Sequence, residues 1–454
     1  MHNKRSTFSG KLGFVLSAAG ASVGLGNIWR FPYLAAKYGG GIFLLIYIVL
    51  ALTFGYTMII AETTLGRMTK KSPVGAFHTF AKTKFASFSG WINAIIPILI
   101  VPYYSVIGGW VIKYLFEYLK GDAKLLATDT YFSNFISNGV STEICFILFT
   151  FFTLAIIYAG VQNGIERVSK FMMPVLVVLS VIIAGYSISR PGAFEGVKYF
   201  LIPNFDNFSW MTVVSAMGQM FYSLSIAMGI LITFGSYMKK DVSIEGSTEN
   251  VEIFDTAIAI MAGLMIIPAV FAFSNGNMEN LNAGPSLMFI TIPKVFDSMG
   301  LGTLIGILFF VLVLFAALTS SIALTECAVS TFQDELKWSR HKSVCILGVI
   351  MLALGSLSSL GYGPLASIQI IGMQFLDFFD FLTNSVMMPI SAICICLLVS
   401  KVIGVDKIAQ EVKSHNNPFK REKIFNFMIK YVCPIFAAII LLSSVANAFG
   451  IIKM

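Results

Sequence analysis

Eleven long apolar segments constrain the fold of this chain more than any other feature of its sequence. The segments lie near residues 12–36, 41–66, 89–118, 142–159, 165–188, 210–238, 252–273, 302–332, 343–361, 368–400 and 427–452. About 20 consecutive apolar residues form a helix long enough to cross the hydrocarbon core of a bilayer. Charged residues make up 12% of the chain, whereas an average soluble domain carries about 25%. The sequence therefore predicts an all-α polytopic membrane protein with eleven spans.

Lysine and arginine are divided unequally between the two sides of these spans. Twenty-one of them lie in the N-terminal tail and in the loops that follow the even-numbered segments, and seven lie on the other side. Loops rich in lysine and arginine stay in the cytoplasm, so we expect a cytoplasmic N-terminus and an external C-terminus. The net charge of +8 is then a topology signal, and we expect the lipid bilayer, and no nucleic acid, as a partner.

Common enzyme motifs are missing from the sequence. All four histidines lie in the tail or in loops, which argues against an intramembrane metal site built on histidine. The chain has no phosphate-binding P-loop and no His-Glu-x-x-His motif. We therefore do not expect an enzyme.

A stretch in the first segment, residues 20–32, is unsuited to an unbroken helix. It contains three glycines, each of which weakens a helix by roughly 1 kcal/mol relative to alanine. It also carries Asn27, Arg30 and Pro32, which lacks a backbone donor. Backbone groups freed at membrane depth are tolerated inside protein or along a watery cavity. We predict a broken helix that lines a binding site, with close packing through small residues as the alternative.

A second interruption lies in the sixth segment, where residues 218–229 bring glycines and polar side chains into the centre of a span. The first and sixth segments are five apart and cross in opposite directions. Broken helices at matching places in two such halves indicate an inverted repeat with a binding site at the membrane midplane. We therefore predict a tail (1–11), repeat 1 (12–188), repeat 2 (210–400) and an eleventh helix (427–452) outside the repeats.

Charged side chains inside the segments need partners, because an ionised group is costly in hydrocarbon. Arg30 is expected to pair with Asp377 or Asp380 near the outer start of the tenth segment, either as a gate or as a static tie between helices. Glu62 is expected to accept bonds from backbone N–H groups freed by the helix breaks. Asp255 is expected to face a bound cation, with a charge at the inner interface as the alternative.

The eighth segment brings several oxygen atoms together. Ala316, Thr319 and Ser320 fall on one face of a helix and offer a carbonyl and two hydroxyls. These ligands suit sodium, a hard cation, although Ser and Thr in membrane helices often bond back to their own turn. In the third segment, Tyr103 or Tyr104 can place a phenol at the centre of the bundle, or can fill its core.

Several motifs resemble those of the neurotransmitter:sodium symporter family, and most closely its bacterial amino-acid transporters. They are Gly24-Leu25-Gly26-Asn27-Ile28-Trp29-Arg30-Phe31-Pro32-Tyr33, Gly39-Gly40-Gly41, Glu62-Thr63-Thr64-Leu65-Gly66-Arg67, Gly164-Ile165-Glu166-Arg167, the stretch from Gln219 to Gly229, Leu318-Thr319-Ser320-Ser321 and Asp334-Glu335-Leu336. The resemblance covers essentially the whole chain. It implies two inverted five-helix repeats, with a substrate site between helices 1, 3, 6 and 8 and with Glu62 and Gln219 in supporting roles.

The resemblance also implies two sodium sites. Sodium 1 would be held by the carbonyl of Ser22, the amide oxygen of Asn27, Ser223 and Asp255, together with the substrate carboxylate. Sodium 2 would be held by the carbonyls of Gly20, Val23 and Ala316 and the hydroxyls of Thr319 and Ser320. Animal members need chloride beside the first sodium. Asp255 resembles the acidic replacement of chloride-independent bacterial members, so we expect no chloride requirement.

For the substrate, the resemblance implies an amino acid. Its α-carboxylate would meet the Leu25 and Gly26 amides and the Tyr104 hydroxyl, at the start of a half-helix. Monoamine members carry an aspartate where this chain has Gly24, which leaves room for a carboxylate. The implied substrate-binding residues are Ala21, Ser22, Leu25, Gly26, Ile100, Tyr104, Tyr222, Ser223, Ser225, Met228, Ser320 and Leu324. The pocket is uncharged, which favours a neutral hydrophobic or aromatic side chain, unless Met228 merely fills core volume.

Two gates and two further features complete the resemblance. The outer gate would be Arg30 with Asp380, and the inner gate would be Arg5 with Asp334. Tyr222 replaces the phenylalanine usual at its position, so its hydroxyl could bond a polar side chain or narrow the pocket. The spacing of Gly164 and Pro174 resembles a motif at which helix 5 unwinds, with a simple proline kink as the alternative.

The sequence thus predicts a sodium-coupled symporter in the inner membrane of a bacterium. It would import a neutral hydrophobic or aromatic amino acid with two sodium ions by alternating access. The alternative is a proton-coupled amino-acid permease of the same fold, which would carry a lysine or carboxylate where the second sodium sits. No sequence feature specifies an oligomeric state.

Overall fold

The computed structural model describes residues 6–274 and 284–451, and helices dominate this part of the chain. Nine continuous helices within it are long and apolar enough to cross a membrane. They are Gly41–Thr69, Lys84–Lys120, Gly139–Tyr158, Val161–Ile188, Ile244–Ser274, Gly302–Glu335, Arg340–Leu360, Phe375–Ile403 and Glu422–Ala448. The bent pair of helices within residues 11–37 gives a tenth. Residues 210–237 form two shorter helices with a break between them; with this pair taken as one span, the described residues hold eleven spans, numbered 1 to 11 in chain order.

Spans 1 and 6 are the two broken helices. Span 1 consists of Lys11–Ser22 and Gly26–Lys37, whose axes differ by 54°. Span 6 consists of Trp210–Ser223 and Ile230–Tyr237, with residues 224–229 outside any helix between them. Both breaks fall within the stretches whose glycines and polar residues predicted them.

The backbone groups freed by the break in span 1 find partners nearby. The N–H of Gly24 donates to Asn27 Oδ1 at 3.1 Å, and Gln219 Nε2 in span 6 donates to the carbonyl of Gly26 at 3.1 Å. Pro32 lies inside the continuous half-helix Gly26–Lys37, just after the wide turn Gly26–Arg30, where a proline leaves one helical hydrogen bond unmade. The contacts of Asn27 and Gln219 thus satisfy part of the backbone that the break frees.

The break in span 6 depends on left-handed backbone. Ser225, Ala227 and Gly229 have φ values of 52°, 62° and 74°. Such values are strained for residues other than glycine, so external contacts must hold them. Glu62 Oε1 accepts from the N–H of Ala227 at 2.6 Å, and Ser225 Oγ donates to the carbonyl of Ala21 at 2.9 Å. The second contact ties the two breaks directly to each other.

Glycines allow the backbone of span 2 to contact the backbone of the inner half of span 6. A Cβ atom on Gly66 would lie 1.9 Å from the carbonyl oxygen of Ile232, and one on Gly235 would lie 2.3 Å from that of Thr63. Small residues at helix interfaces allow such close packing in membranes. This pair of glycines fixes the position of Ile230–Tyr237 against span 2.

Several spans are longer than their apolar cores. Span 3 begins at Lys84 and span 7 at Ile244, where the sequence predicted 89 and 252, because the helices continue through polar residues beyond the hydrocarbon. Span 10 instead begins later, at Phe375, since Ile370 and Met373 bridge each other in a turn. The shorter helices outside the spans include Pro73–Phe80, Ala123–Leu126, Tyr131–Ser137, Ala193–Leu201, Ile292–Asp297 and Val405–Val412.

The loop between spans 10 and 11 is clamped onto span 2 by a buried arginine. Arg67, 1% exposed, donates from Nε to Glu411 Oε1 at 2.7 Å and from Nη2 to Ser414 Oγ at 2.9 Å. Its Nη1 donates to the carbonyl of Val242 at 2.7 Å, in the loop between spans 6 and 7. A single guanidinium thus joins three parts of the chain on one side of the bundle.

Candidate functional site

A small cavity of about 30 Å³ lies between the two helix breaks. It is lined by Ala21, Ser22, Gly24, Leu25, Gly26, Asn27, Ile100, Tyr104, Tyr222, Ser223, Ser225, Met228, Ser320 and Leu324. All twelve residues predicted to contact substrate are among them. They come from spans 1, 3, 6 and 8, and no charged side chain is present among these lining residues.

Gly24 is a position in this pocket that has little space for a side chain. A Cβ atom there would lie 2.7 Å from Ser320 Oγ and 3.1 Å from the Tyr104 hydroxyl oxygen. The Tyr104 hydroxyl also accepts from the N–H of Leu25 at 3.3 Å. An aspartate at position 24 would therefore displace the Ser320 and Tyr104 hydroxyls, which line the polar end of the pocket.

The predicted residues of sodium 1 are brought together around Asp255. Ser223 Oγ donates to the Asp255 carboxylate, with oxygen–oxygen distances of 3.0 and 3.1 Å. Asp255 is fully buried and lies three turns into span 7, so it is not a charge at the inner interface. Tyr47 in span 2 joins this group, because its hydroxyl donates to Asp255 Oδ2 at 3.0 Å. Sequence reasoning missed Tyr47, which stands in an apolar run without any polar motif.

The amide of Asn27 is turned differently from the prediction. Its nitrogen, and not its oxygen, faces the other site residues, donating to Asp255 Oδ1 at 2.8 Å and to Ser223 Oγ at 2.9 Å. The oxygen instead accepts from the N–H of Gly24, which the helix break has freed. A half-turn of the amide exchanges the two atoms and places the oxygen toward Asp255.

The predicted residues of sodium 2 form a second group of oxygens. Ser320 Oγ lies 3.3 Å from the carbonyl oxygen of Gly20 and 3.4 Å from that of Val23. Thr319 Oγ1 lies 3.1 Å from the carbonyl oxygen of Ala316. Hard cations of this size hold oxygen at about 2.3–2.6 Å, so ligands at right angles are roughly 3.3–3.7 Å apart. The contacts of Ser320 have this spacing, and all of these oxygens are neutral. Thr319 Oγ1 donates within its own helix to the carbonyls of Phe315 and Ala316, so its contact with Ala316 alone does not indicate a cation.

The outer gate residues are close together but unpaired. Arg30 and Asp380 line the same cavity of about 320 Å³ above the pocket, and both also line an adjoining one of about 590 Å³. Asp380 Oδ1 accepts from Asn384 Nδ2 at 2.6 Å and from the Tyr103 hydroxyl at 3.2 Å. Among the described residues no ion pair joins Arg30 to Asp380 in this conformation, and their role as an outer gate stays a prediction.

The opposite side of the pocket is closed by packing. Arg5 lies outside the described residues, while Asp334 Oδ2 accepts from the N–H of Ser72 at 2.6 Å. Phe8 is 1% exposed; its N–H donates to the carbonyl of Tyr237 at 3.1 Å, and its ring meets that of Phe234 at 5.5 Å. The structure is therefore open at the outer gate and closed at the inner one.

A buried carboxylate that the sequence analysis did not single out reinforces the inner closure. Glu326, fully buried in span 8, accepts from the Tyr237 hydroxyl at 2.7 Å and pairs with Arg340 Nη2 at 2.6 Å. The same nitrogen of Arg340 donates to the carbonyl of Ile157 at 2.7 Å, at the end of span 4. This network joins spans 4, 6, 8 and 9 below the pocket.

Helix 5 is continuous through its glycine–proline motif in this conformation. Residues Val161–Glu166 form a wide turn that leads directly into Arg167–Ile188, and Pro174 lies inside that helix. Gly164 packs against the carbonyl of Ile156, which a Cβ atom would meet at 2.1 Å. Close packing against the backbone of Ile156 therefore explains why position 164 is a glycine.

These features define a class of protein. Two broken spans meet at a closed pocket, one side is open as a vestibule, and the other is sealed by aromatic rings and ion pairs, as in a secondary transporter with a midplane site. Residues 5–130 and 133–451 match the sodium:neurotransmitter symporter family, and the chain belongs to this family. Its members are secondary transporters, so the chain is not an enzyme.

Individual relatives support the assignment over the whole length. The uncharacterized sodium-dependent transporter YhdH of Bacillus subtilis is 33% identical over 450 residues, which cover 98% of each chain. An uncharacterized sodium-dependent transporter of Haemophilus influenzae is 31% identical over 457 residues, 98% of this chain and 99% of its own.

A solved structure gives the fold. The crystal structure of MhsT in complex with L-phenylalanine superposes with a TM-score of 0.86 at 36% identity, covering 97% of this chain and 100% of its own. The fold is thus that of two inverted five-helix repeats with broken helices 1 and 6 and an additional eleventh helix.

Proposed function

We propose that this transporter imports a neutral hydrophobic or aromatic amino acid together with sodium. The observation that carries the proposal is the lining of the pocket, which is uncharged, is walled by Ile100, Met228 and Leu324, and has a ring, Tyr222, at its edge. The complex of its structural relative MhsT with L-phenylalanine supports an aromatic substrate. The flexible thioether of Met228 can adapt to side chains of different shape.

The polar end of the pocket suits the α-carboxylate of the substrate. Leu25 and Gly26 open the outer half of span 1, and the N-terminus of a helix attracts an anion. The Tyr104 hydroxyl lies at the same place, 3.3 Å from the N–H of Leu25. Because Gly24 has no side chain, a carboxylate can approach these groups; the amino group would then point toward the carbonyls of the two breaks.

Sodium ions enter this proposal as co-substrates with two sites. The first uses the Asp255 carboxylate, Ser223, the carbonyl of Ser22 and, after a half-turn of its amide, Asn27. The second uses the Thr319 and Ser320 hydroxyls and the carbonyls of Gly20, Val23 and Ala316. Each tenfold sodium gradient supplies about 1.4 kcal/mol per ion, and each net charge moved inward supplies about 2.3 kcal/mol per 100 mV of potential.

The open vestibule and closed inner side correspond to a state ready to load from outside. Sodium and substrate would bind, Arg30 and Asp380 would close above them, and the contacts of Phe8 and Glu326 would then release on the inner side. The distribution of lysine and arginine supports this orientation, with a cytoplasmic N-terminus, an external C-terminus and insertion in a bacterial inner membrane.

Uptake into proteoliposomes tests the function. Radiolabelled L-phenylalanine, L-tyrosine, L-tryptophan, L-leucine and L-methionine are offered with an inward sodium gradient, and glycine, L-glutamate and L-lysine serve as negative controls. We expect sodium-dependent accumulation of at least one of the five. Equal uptake in sodium-free buffer under an inward proton gradient would favour the proton-coupled permease instead.

Chloride is expected to be unnecessary, because Asp255 supplies a fixed negative charge beside the first sodium site. Uptake by the unmodified protein should be unchanged when gluconate replaces chloride. In Asp255→Ser, uptake should fall. Added chloride should then raise it about tenfold, which corresponds to about 1.4 kcal/mol of sodium-binding free energy, because the hydroxyls of Tyr47 and Ser223 remain to hold the anion.

A matched control for this test is Glu252→Gln. Glu252 lies on the same helix and is 3% exposed, but it faces Arg421 Nη1 at 3.3 Å and not the sodium site. It should show no chloride response. Uptake by the unmodified protein that disappears without chloride, together with an unresponsive Asp255→Ser, would contradict the proposal.

A further inference from the structure

Tyr222 separates the substrate pocket from the outer vestibule. Among the described residues, it alone lines both the small pocket between the helix breaks and the vestibule cavity of about 320 Å³. It lies one residue before the break in span 6, at the end of Trp210–Ser223. Any movement that closes the pocket from outside must therefore involve this ring.

The ring of Tyr222 is held between the two parts of the site. On the pocket side, a Cβ atom on Gly26 would lie 2.4 Å from the ring. The ring can pack at this place because Gly26 has no side chain. On the vestibule side, the guanidinium carbon of Arg30 lies 5.3 Å from the ring centroid, within the range of a cation–π contact. Arg30 thus contacts Tyr222 while it is unpaired with Asp380.

Tyr222 lies beside the polar groups of the outer gate. Arg30 and Asp380 line the same vestibule cavity as Tyr222, and the Tyr103 hydroxyl already donates to Asp380 at 3.2 Å. The two hydrogen bonds to the Asp380 carboxylate, from Tyr103 and Asn384, both end on Oδ1. The second carboxylate oxygen is thus available to a further donor when the vestibule narrows.

We propose that the Tyr222 hydroxyl is part of the outer gate. On closure it donates to the Asp380 carboxylate while Arg30, resting on the same ring, pairs with that carboxylate. A substrate side chain that packs against the Tyr222 ring then favours closure of the outer gate, because Tyr222 contributes both this ring and the gate hydroxyl. The proposal rests on the proposed function, and it distinguishes this chain from relatives that carry phenylalanine here, whose ring can cover the pocket but cannot bond the gate.

The substitution Tyr222→Phe separates this role from a role in shaping the pocket. It retains the ring, its seat at Gly26 and its contact with Arg30, and it removes the gate bond. Since the gate bond joins Tyr222 to Asp380 and does not touch the substrate side chain, its loss should accelerate dissociation of L-phenylalanine and of L-leucine toward the outside by the same factor, about tenfold for a hydrogen bond to a charged group. A hydroxyl that merely narrows the pocket would change the ratio of the two affinities instead.

The measurement is the chase of each radiolabelled amino acid from purified, sodium-loaded protein. Asp380→Asn is compared alone and combined with Tyr222→Phe, because two groups that bond each other give non-additive effects; we expect the second substitution to add little to the first. Tyr33→Phe is the matched control, since Tyr33 lines the same vestibule but contacts Lys37, 5.6 Å from its ring centroid.

The outcomes distinguish the inference from the function on which it rests. Unchanged dissociation in Tyr222→Phe, a change confined to one amino acid, or full additivity with Asp380→Asn would overturn the gate role while leaving symport intact. Failure of the unmodified protein to bind either amino acid in sodium, together with failure of the whole uptake panel, would overturn the proposed function itself.

Discussion

Removing the Thr319 and Ser320 hydroxyls together is expected to abolish sodium-stimulated uptake. Ser320 Oγ lies within 3.4 Å of the carbonyl oxygens of Gly20 and Val23, and Thr319 contributes the second neutral oxygen donor. We expect each lost ligand to cost about 1.4 kcal/mol of sodium-binding free energy, which is a tenfold loss of affinity. Loss of both should raise the sodium concentration for half-maximal uptake roughly a hundredfold. The measurement is initial uptake against sodium concentration in Thr319→Ala/Ser320→Ala.

Ser321→Ala is the matched control for this double variant. Ser321 is adjacent in sequence and fully buried, but its hydroxyl bonds Thr153 in span 4 at 3.1 Å, away from the proposed ions. Its loss should cost about 0.5–1.5 kcal/mol of stability and leave the sodium dependence unchanged. Undiminished uptake in the double variant would rule out the second sodium site as assigned.

Gly66→Ala is expected to destabilise the folded protein strongly. Its Cβ atom would lie 1.9 Å from the carbonyl oxygen of Ile232 and 2.8 Å from the N–H nitrogen of Ser236, and both are backbone atoms that cannot move alone. Overpacking of this kind costs about 1–3 kcal/mol or more, which exceeds the roughly 1 kcal/mol that alanine gains over glycine in a helix. The measurement is the midpoint of thermal unfolding in detergent by tryptophan fluorescence.

Gly185→Ala provides the comparison for Gly66→Ala. Gly185 also lies inside a span, Val161–Ile188, but a Cβ atom there meets nothing within 4 Å. It should keep or slightly raise the unfolding midpoint, because only the helix propensity changes. Equal midpoints for the two variants would show that spans 2 and 6 can separate without cost.

The sequence predicted the number of spans and the location of both breaks, because apolar length and glycine content are local properties. It also predicted, through the family resemblance, which residues surround the pocket. Helix ends were predicted less well: span 7 begins eight residues before its apolar core, since Ile244 and the polar turns after it continue the helix.

Other parts of the site depend on packing between distant spans and carry no local signal. Tyr47 reaches Asp255 across 208 residues of sequence, yet its apolar surroundings in the sequence are those of an ordinary core tyrosine. The amide of Asn27 turns toward Asp255 through its nitrogen because the N–H of Gly24 occupies its oxygen. The separation of Arg30 from Asp380 reflects one conformation of the gate, and a sequence does not encode which conformation is populated.

The Arg67 clamp has a geometric consequence for span 10. It holds the loop that follows this span, whereas Asp380 lies near the other end of the same continuous helix, Phe375–Ile403. At 1.5 Å per residue, the 23 residues between Asp380 and Ile403 measure roughly 35 Å. A tilt of about 5° about the clamped end would therefore carry the Asp380 carboxylate roughly 3 Å sideways, a distance comparable to the length of one hydrogen bond. In the proposed gate, span 10 would act as a rod held near one end, which turns a small rotation on one face of the membrane into movement of Asp380 on the other.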